Sequence, residues 1–264
     1  MYSEYIEYLK SLNYENFKEC DFKSNNKYKS ILEHVSYELG MKYLELIALD
    51  FPTISYATIQ DFININDKYG FPNKEKYVYK NNIYMCSPTS LRYIYHALVI
   101  LDYYKNTDCK NIVEVGCGYG GLYLAINYFS NKLGVIINNY NIIDLPETCV
   151  LIQNYLNLHN DCKYSTIQIH TSNTYGEKIK DDKLFFISNY CFTEIDEIHN
   201  KLYSGILLTK TTNGFIIWQN GGNNGSYKIE QAKSITGKEI VKVIEEKPQT
   251  DSGYGIHKNY FVYF

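Results

Sequence analysis

The sequence predicts an α/β protein. It should hold a doubly wound, mostly parallel sheet with an antiparallel last strand, preceded by a mainly helical N-terminal cap. Three observations predict this. Residues 111–126 run from an apolar strand through a glycine-rich turn straight into a helix. From residue 111 onward strand-like and helix-like patterns alternate, which implies parallel strands with helices on both faces. The last two strand patterns, Ile240–Ile244 and Tyr260–Phe264, have no helical pattern between them and are expected to pair antiparallel.

Residues 1–83 read as the cap and 84–264 as the main domain. In the cap, Ile31, Leu32, Val35, Leu39, Tyr43, Leu44, Leu46 and Ile47 recur at near-helical spacing, which predicts a helix over Ser30–Leu49. Thr58–Lys68 reads as a second, shorter helix. Tyr77-Val78-Tyr79 and Ile83-Tyr84-Met85 flank Lys80-Asn81-Asn82, the pattern of a hairpin. Ser87-Pro88 opens a helix, since serine suits the N-cap and proline the first turn. Ile112–Val115 is then a strand and Leu122–Ser130 a helix. Val135–Asp144 contains the next strand and Glu147–Leu158 the next helix. Ser165–His170 and Leu184–Ser188 are strands, Glu194–Leu208 a helix, and Phe215–Trp218 a strand followed by a Gly/Asn-rich loop.

A chain of 264 residues, 45% hydrophobic and 21% charged, has the composition of a globular protein with a full core. A net charge of −3 and the lack of any Lys/Arg-rich run count against a nucleic-acid partner. The acidic, aromatic N-terminus has no basic n-region or apolar h-region, and the apolar runs are too short to span a bilayer. A cytoplasmic location, without membrane association, is expected. Seven scattered cysteines with no C-x-x-C point to free thiols and to no structural zinc site. Self-association as a homo-oligomer is left open.

The glycine turn carries the functional signal. Gly116, Gly118 and Gly121 spell the G-x-G-x-x-G of a dinucleotide site, and Gly116, Gly118 and Gly120 the G-x-G-x-G of S-adenosylmethionine (SAM) enzymes. In both, a helix N-terminus behind bare peptide offers N–H groups to a ligand. Glu114, two residues before the first glycine, separates them. SAM carries an α-ammonium and a sulfonium for an acid to meet, whereas a pyrophosphate would be repelled. SAM is therefore the expected cofactor. The terminal strand pair likewise marks the Rossmann-like class I methyltransferase sheet rather than the dinucleotide one. An NAD-dependent oxidoreductase is the alternative, disfavoured by Glu114 and by the lack of Tyr-x-x-x-Lys.

Strand ends supply the other candidates, because ligands of such sheets bind at the carboxyl ends of the strands. Asp144 closes the second strand, where its carboxylate suits two ribose hydroxyls. It equally suits the N-cap of the next helix. Leu145 could pack on adenine, and Asn173, after the third strand, could reach the adenine edge. Ser188 ends the fourth strand. Ser90 and Arg92, in the helix feeding the glycine-loop strand, are placed to overhang the cofactor. Arg92 is the only arginine among 26 basic residues, which suits a bidentate carboxylate contact or is chance survival.

The fourth strand runs into Ser188-Asn189-Tyr190-Cys191-Phe192-Thr193-Glu194, where a methyltransferase meets its acceptor. A Pro-Pro-Tyr-like turn, needed for exocyclic amines of bases, is lacking. So is the Pro-Cys nucleophile of cytosine C5 enzymes. The runs Ser87-Pro88-Thr89-Ser90-Leu91-Arg92-Tyr93, Glu114 through Gly121, Asp144-Leu145-Pro146-Glu147 and Ser188 through Glu194 resemble the sugar O-methyltransferase family of bacterial surface-polysaccharide gene clusters. The resemblance covers roughly 84–264. The glycine motif is general to SAM enzymes, and Asp-Leu-Pro-Glu combined with the Asn-Tyr…Glu loop discriminates better. It implies methylation of a sugar hydroxyl, such as that of a nucleotide-activated sugar. Another small-molecule acceptor, for example a phosphorylated metabolite, or SAM binding without catalysis, are the alternatives.

A sugar hydroxyl is a poor nucleophile and calls for a base or a metal. Glu194 is the first base candidate by position, although behind Thr193 it also suits a helix N-terminus. His199 and His257 follow. His199 falls in a predicted helix, where packing or exposure is the plainer role. Asn189, Tyr190, Trp218 and Asn220, at strand ends, are candidates to hold the sugar, with core packing the alternative for the aromatics. No spacing marks a metal-ligand set.

Overall fold

The computed structural model describes residues 2–31, 34–162, 164–220, 229–250 and 258–264. The chain divides into two compact units. One comprises Met1–Asp102, Gly118–Gly134 and Val150–Tyr164, the other Tyr103–Cys117, Val135–Cys149 and Ser165–Phe264.

The first unit begins with α1 (Tyr2–Ser11), the short α2 (Asn26–Lys29), α3 (Tyr37–Asp50) and α4 (Tyr56–Asn66). The helix expected from Ser30 starts instead at Ser36, whose hydroxyl accepts the Leu39 N–H. Hydrophobic spacing extends upstream of this cap, but the backbone does not. Ser55 caps α4 in the same way, so the helix begins at Tyr56, two residues before the expected start. Strands β1 (Glu75–Tyr79) and β2 (Asn82–Cys86) form the expected hairpin around Lys80 and Asn81. Both turn residues have positive φ (46° and 64°), as a two-residue type I′ connection requires. One face of the hairpin buries Tyr77 and Tyr84, which stack on Tyr37 and pack against Tyr56 respectively.

Helix α5 (Pro88–Tyr104) opens at Ser87 as expected. Asp67 ties its start to the end of α4. The Asp67 carboxylate accepts the Ser87 N–H (2.6 Å), the Ser87 hydroxyl (2.9 Å) and the Ser90 hydroxyl (2.7 Å). An acid at a helix N-terminus is also favoured by the dipole. This unit further takes in α6 (Gly121–Leu133) and most of α7 (Pro146–Asn157).

The second unit holds the whole large sheet. Its strands are β3 (Asn111–Val115), β4 (Asn139–Asp144), β5 (Thr166–Thr171), β6 (Leu184–Asn189), β7 (Thr211–Trp218), β8 (Lys242–Glu245) and β9 (Tyr260–Tyr263). Their spatial order is β5-β4-β3-β6-β7-β9-β8. The strands β3 to β7 are mutually parallel, and β9 runs antiparallel between β7 and β8. This is the expected α/β sheet with its antiparallel last strand, preceded by a mainly helical N-terminal region. Val113, Phe186, Ile216, Trp218 and Val262 join one apolar cluster of the core.

Among the described residues, two α-helices lie wholly within this unit. Helix α8 (Glu197–Ile206) is capped by Asp196, whose carboxylate accepts the His199 N–H, and not by Thr193. Glu194 therefore lies in the loop before the helix. Helix α9 (Ile229–Thr236) was not expected between the last two strands and β7. Its sequence is short and mostly polar; burial of Ala232 in the core and the left-handed Gly237 after its end stabilise it. Among the described residues no helix is long and apolar enough to cross a membrane.

Candidate active site

The chain winds from β3 outward through β4 and β5, then returns to place β6 and β7 on the other side of β3. The order reverses between β3 and β6, and the crevice at such a reversal is where open α/β sheets bind ligands. The ends of β3, β4 and β6 bring together Glu114, Gly116, Asp144, Leu145, Ser188, Asn189 and Tyr190.

Glu114 is 1% exposed. The Tyr140 hydroxyl donates to its Oε2 at 2.7 Å. Register explains the meeting: Glu114 pairs with Ile142, so Tyr140, two residues earlier, shares the face of Glu114. Burial pushes the Glu114 carboxyl up to about 7, aided by the negative charge of Asp144, while the bonds to Tyr140 and Cys117 pull it back. Sequence reasoning missed this partner, because the pairing depends on the register between β3 and β4.

Asp144 ends β4, with one carboxylate oxygen accepting the Cys117 N–H of the glycine turn and the other the Leu145 N–H, both at 2.8 Å. Leu145 beside it is 36% exposed. Asn173 is exposed in a 3-10 turn, Ser172–Thr174, directly after β5.

Ser188 is fully buried and acts as a clamp. Its hydroxyl donates to the Val115 carbonyl (2.8 Å) and accepts the Phe192 N–H (3.1 Å). The loop after β6 is thereby held against the end of β3. Its first residue past Asn189 is Tyr190, at φ 66°, a left-handed conformation uncommon outside glycine. The Tyr190 hydroxyl donates to Glu246. Glu246 is buried, and it also accepts from the Thr250 N–H and hydroxyl and from Asn259 Nδ2. Burial raises its carboxyl and these bonds lower it. Sequence reasoning missed Glu246, since it sits in Glu245-Glu246-Lys247-Pro248 with no motif around it.

Gly116 (φ 81°) faces Cys191: a Cβ there would meet Cys191 Cβ at 2.3 Å and Sγ at 2.4 Å. Gly116→Ala therefore combines backbone strain with a clash. It is expected to lower unfolding stability by about 2 kcal/mol or more in urea titration, with Cys191→Gly restoring only the steric part. Burial and the charges of Asp144, Glu194 and Glu114 raise the Cys191 thiol far above its ordinary range, so it is neutral and not a nucleophile.

Glu194 is half-buried in the same loop, its N–H bonded to the Cys191 carbonyl. His199 lies on the exposed side of α8, with Nδ1 2.8 Å from the Tyr175 hydroxyl and Nε2 3.6 Å from Asp196. Trp218 is wholly buried in the apolar cluster of the sheet. Asn220 is buried past β7, bonded to the Asn259 side chain and the Lys258 carbonyl. His257 lies outside the described residues, as does most of the Gly/Asn-rich loop.

Gly118, Gly120, Ser90 and Arg92 belong to the first unit. Gly118 and Gly120 have φ of 64° and 94°, and Gly120 is the N-cap of α6. Ser90 is fully buried and donates to Asp67. Arg92 is 7% exposed, its guanidinium 5.5 Å from the Tyr93 ring. Among the described residues no three His, Cys, Asp or Glu side chains are placed to hold a metal ion.

No family model and no curated protein matches the chain. Several solved structures are similar to it. The glycopeptide N-methyltransferase MtfA complexed with sinefungin is 8% identical over 64% of this chain and 85% of its own, with a TM-score of 0.44. Magnesium protoporphyrin IX methyltransferase (ChlM) from Synechocystis PCC 6803, with bound SAH, is 10% identical over 66% of this chain and 85% of its own, at 0.43. The mitomycin 7-O-methyltransferase MmcR is 12% identical over 67% of this chain and 54% of its own, at 0.45.

Proposed function

We propose that this chain is a SAM-dependent O-methyltransferase whose acceptor is a sugar hydroxyl, carried on a nucleotide-activated sugar. The observation that supports it most is Asp144. It stands at the end of the strand beside β3, with both carboxylate oxygens oriented by N–H groups, one of them from the glycine turn. An oriented carboxylate suits a vicinal diol such as a ribose, because it can accept two O–H donors at once. Leu145, exposed beside it, offers an apolar surface to a base.

In this reading Gly116, Gly118 and Gly120 bring bare backbone to the cofactor. Glu114, already bonded to Tyr140 and Cys117, supplies negative charge beneath the turn. Asn173 and Ser188 border the same strand ends, Ser188 as the clamp of the acceptor loop. Ser90 and Arg92 act from α5. When bound, the cofactor supplies an electrophilic methyl group. The chain's own residues orient the acceptor and remove its proton. Asn189, at the end of β6, and Tyr190, in the loop after it, face that task, with Asn220 past the end of β7, whereas Trp218 packs in the core. Glu194 takes the proton of the acceptor hydroxyl, its carboxylate in a half-buried loop and outside any helix cap. His199 and His257 are the other proton acceptors to test. The sugar rests on the resemblance carried by Asp144-Leu145-Pro146-Glu147 and the Asn189–Glu194 loop.

The experiment is calorimetric binding of S-adenosylhomocysteine (SAH), followed by transfer of labelled methyl from SAM to a panel of nucleotide sugars, with and without EDTA. Binding and transfer to one member is expected. Binding with no transfer to any sugar would sink the acceptor, leaving another small molecule or a non-catalytic SAM-binding role. No SAH binding, with NAD binding instead, would overturn the cofactor.

A further inference from the structure

The glycine turn contains one large side chain, Tyr119, between Gly118 and Gly120. It is fully buried within the first unit, in a socket built mainly from the N-terminal region. Its ring packs edge-on against Tyr155 (centroids 4.9 Å apart), Tyr93 (5.7 Å) and Phe22 (5.7 Å). Its hydroxyl accepts from Asn66 Nδ2 at 3.1 Å and donates to Asn66 Oδ1 at 3.2 Å. Lys23 Nζ stands 4.3 Å from the ring centroid, within cation–π range.

Asn66 is the last residue of α4, and the same Lys23 donates to its carbonyl at 2.6 Å. A cation at a helix C-terminus is favoured by the dipole. Asn66 Nδ2 also donates to Ser90 at 2.7 Å, which is in turn bonded to Asp67. Residues far upstream thus converge on one hydroxyl and one ring of the turn.

We propose that Tyr119 is a positioning residue for cofactor binding, a peg fixed by Asn66 and Lys23 that holds the glycine turn in its binding form. This rests on the glycine turn being the cofactor site. Glycines leave a turn with many accessible conformations, and a ligand must then meet the cost of ordering it. Anchoring the one bulky side chain in that turn settles the cost during folding. The N-terminal region then contributes to affinity without a residue of its own on the ligand.

The test is SAH affinity by calorimetry at a temperature where every variant is folded by circular dichroism. Tyr119→Phe and Asn66→Ala are each expected to weaken binding about fivefold to tenfold, with Lys23→Met in the same direction. The double variant is expected to be no worse than Asn66→Ala alone, because that substitution already removes the bonds to the Tyr119 hydroxyl. Leu44→Ala, a core deletion in α3 away from the socket, should lower thermal stability and leave affinity unchanged. Affinity within twofold of the wild type in Tyr119→Phe, or in Asn66→Ala should the first fail to fold, overturns the proposal. So does an equal loss in Leu44→Ala, or fully additive losses in the double variant. A wild-type chain that does not bind SAH overturns the cofactor reading and this inference with it. Binding by the wild type that is indifferent to these variants overturns the inference alone.

Discussion

Replacing Glu114 by Gln is expected to remove a decline in stability that the wild-type protein suffers as pH rises from about 4.5 to about 7. The buried carboxyl titrates near 7 in the folded chain, against an ordinary 4.5. Between those values the folded protein holds a proton that the unfolded chain has released. Stability must then fall as pH rises through that window, and level off once the folded carboxyl has ionised. The full amplitude is about 3 kcal/mol, since each unit of displacement corresponds to about 1.4 kcal/mol. Gln keeps the shape and still accepts the Tyr140 hydroxyl, but has nothing to titrate. Urea unfolding at pH 5 and pH 8 checks this: Glu114→Gln should gain about 2.5 kcal/mol on the wild type between the two. Identical slopes for both proteins would mean that burial does not raise this carboxyl. The same titration bears on the cofactor. If the ionised form attracts the ligand's ammonium, SAH affinity rises with pH through 7 in the wild type and stays flat in the Gln variant.

Much of the sheet was legible because most strands are short apolar runs bounded by turn residues, and β5 alternates Ile with polar residues; neither pattern needs tertiary knowledge. Helix starts were less so. The apolar spacing around Ile31 and Val35 continues upstream of Ser36, and only the hydroxyl bonded to Leu39 marks where the backbone becomes helical. Thr193 and Asp196 are both fair N-caps, and the choice of Asp196 moved Glu194 out of the helix. Helix α9 rests on burial of Ala232 and the Gly237 stop, neither of which outweighs its polar, β-branched composition when read alone. At the site, residues adjacent in sequence were legible as a group: Glu114 with the glycine turn, Asp144 with Leu145, and the loop after β6. Pairs made across the sheet were not. Tyr140 with Glu114, and Glu246 with Tyr190, depend on register and on a connection more than 50 residues away, which local pattern does not encode. Trp218 illustrates the converse. Its strand end suggested a sugar contact, with core packing as the alternative, and the last five residues of β7 are buried without alternation, Trp218 wholly so.

Asp144→Ala is expected to weaken SAH binding by about 100-fold or more while the fold survives, since hydrogen bonds to a charged group are worth about 1.5–3 kcal/mol each. The fold should tolerate the change because the carboxylate closes no core. Of the two N–H groups that it accepts, that of the exposed Leu145 can be taken over by water, and that of buried Cys117 lies in the turn and not in the core cluster. Asp144→Asn should fall between, keeping one acceptor and losing the charge. These losses alone would not separate contact with ribose from support of the turn, because the Cys117 bond serves the turn as well. An analogue lacking the two ribose hydroxyls separates them. Against the wild type it should bind far more weakly than SAH. Against Asp144→Ala the two ligands should bind alike, since the partner of the hydroxyls is gone. If the analogue loses the same factor with both proteins, Asp144 supports the turn and the ribose is held elsewhere. If Asp144→Ala binds SAH within twofold of the wild type, Asp144 has neither role, and the strand end beside β3 loses its strongest claim to the cofactor.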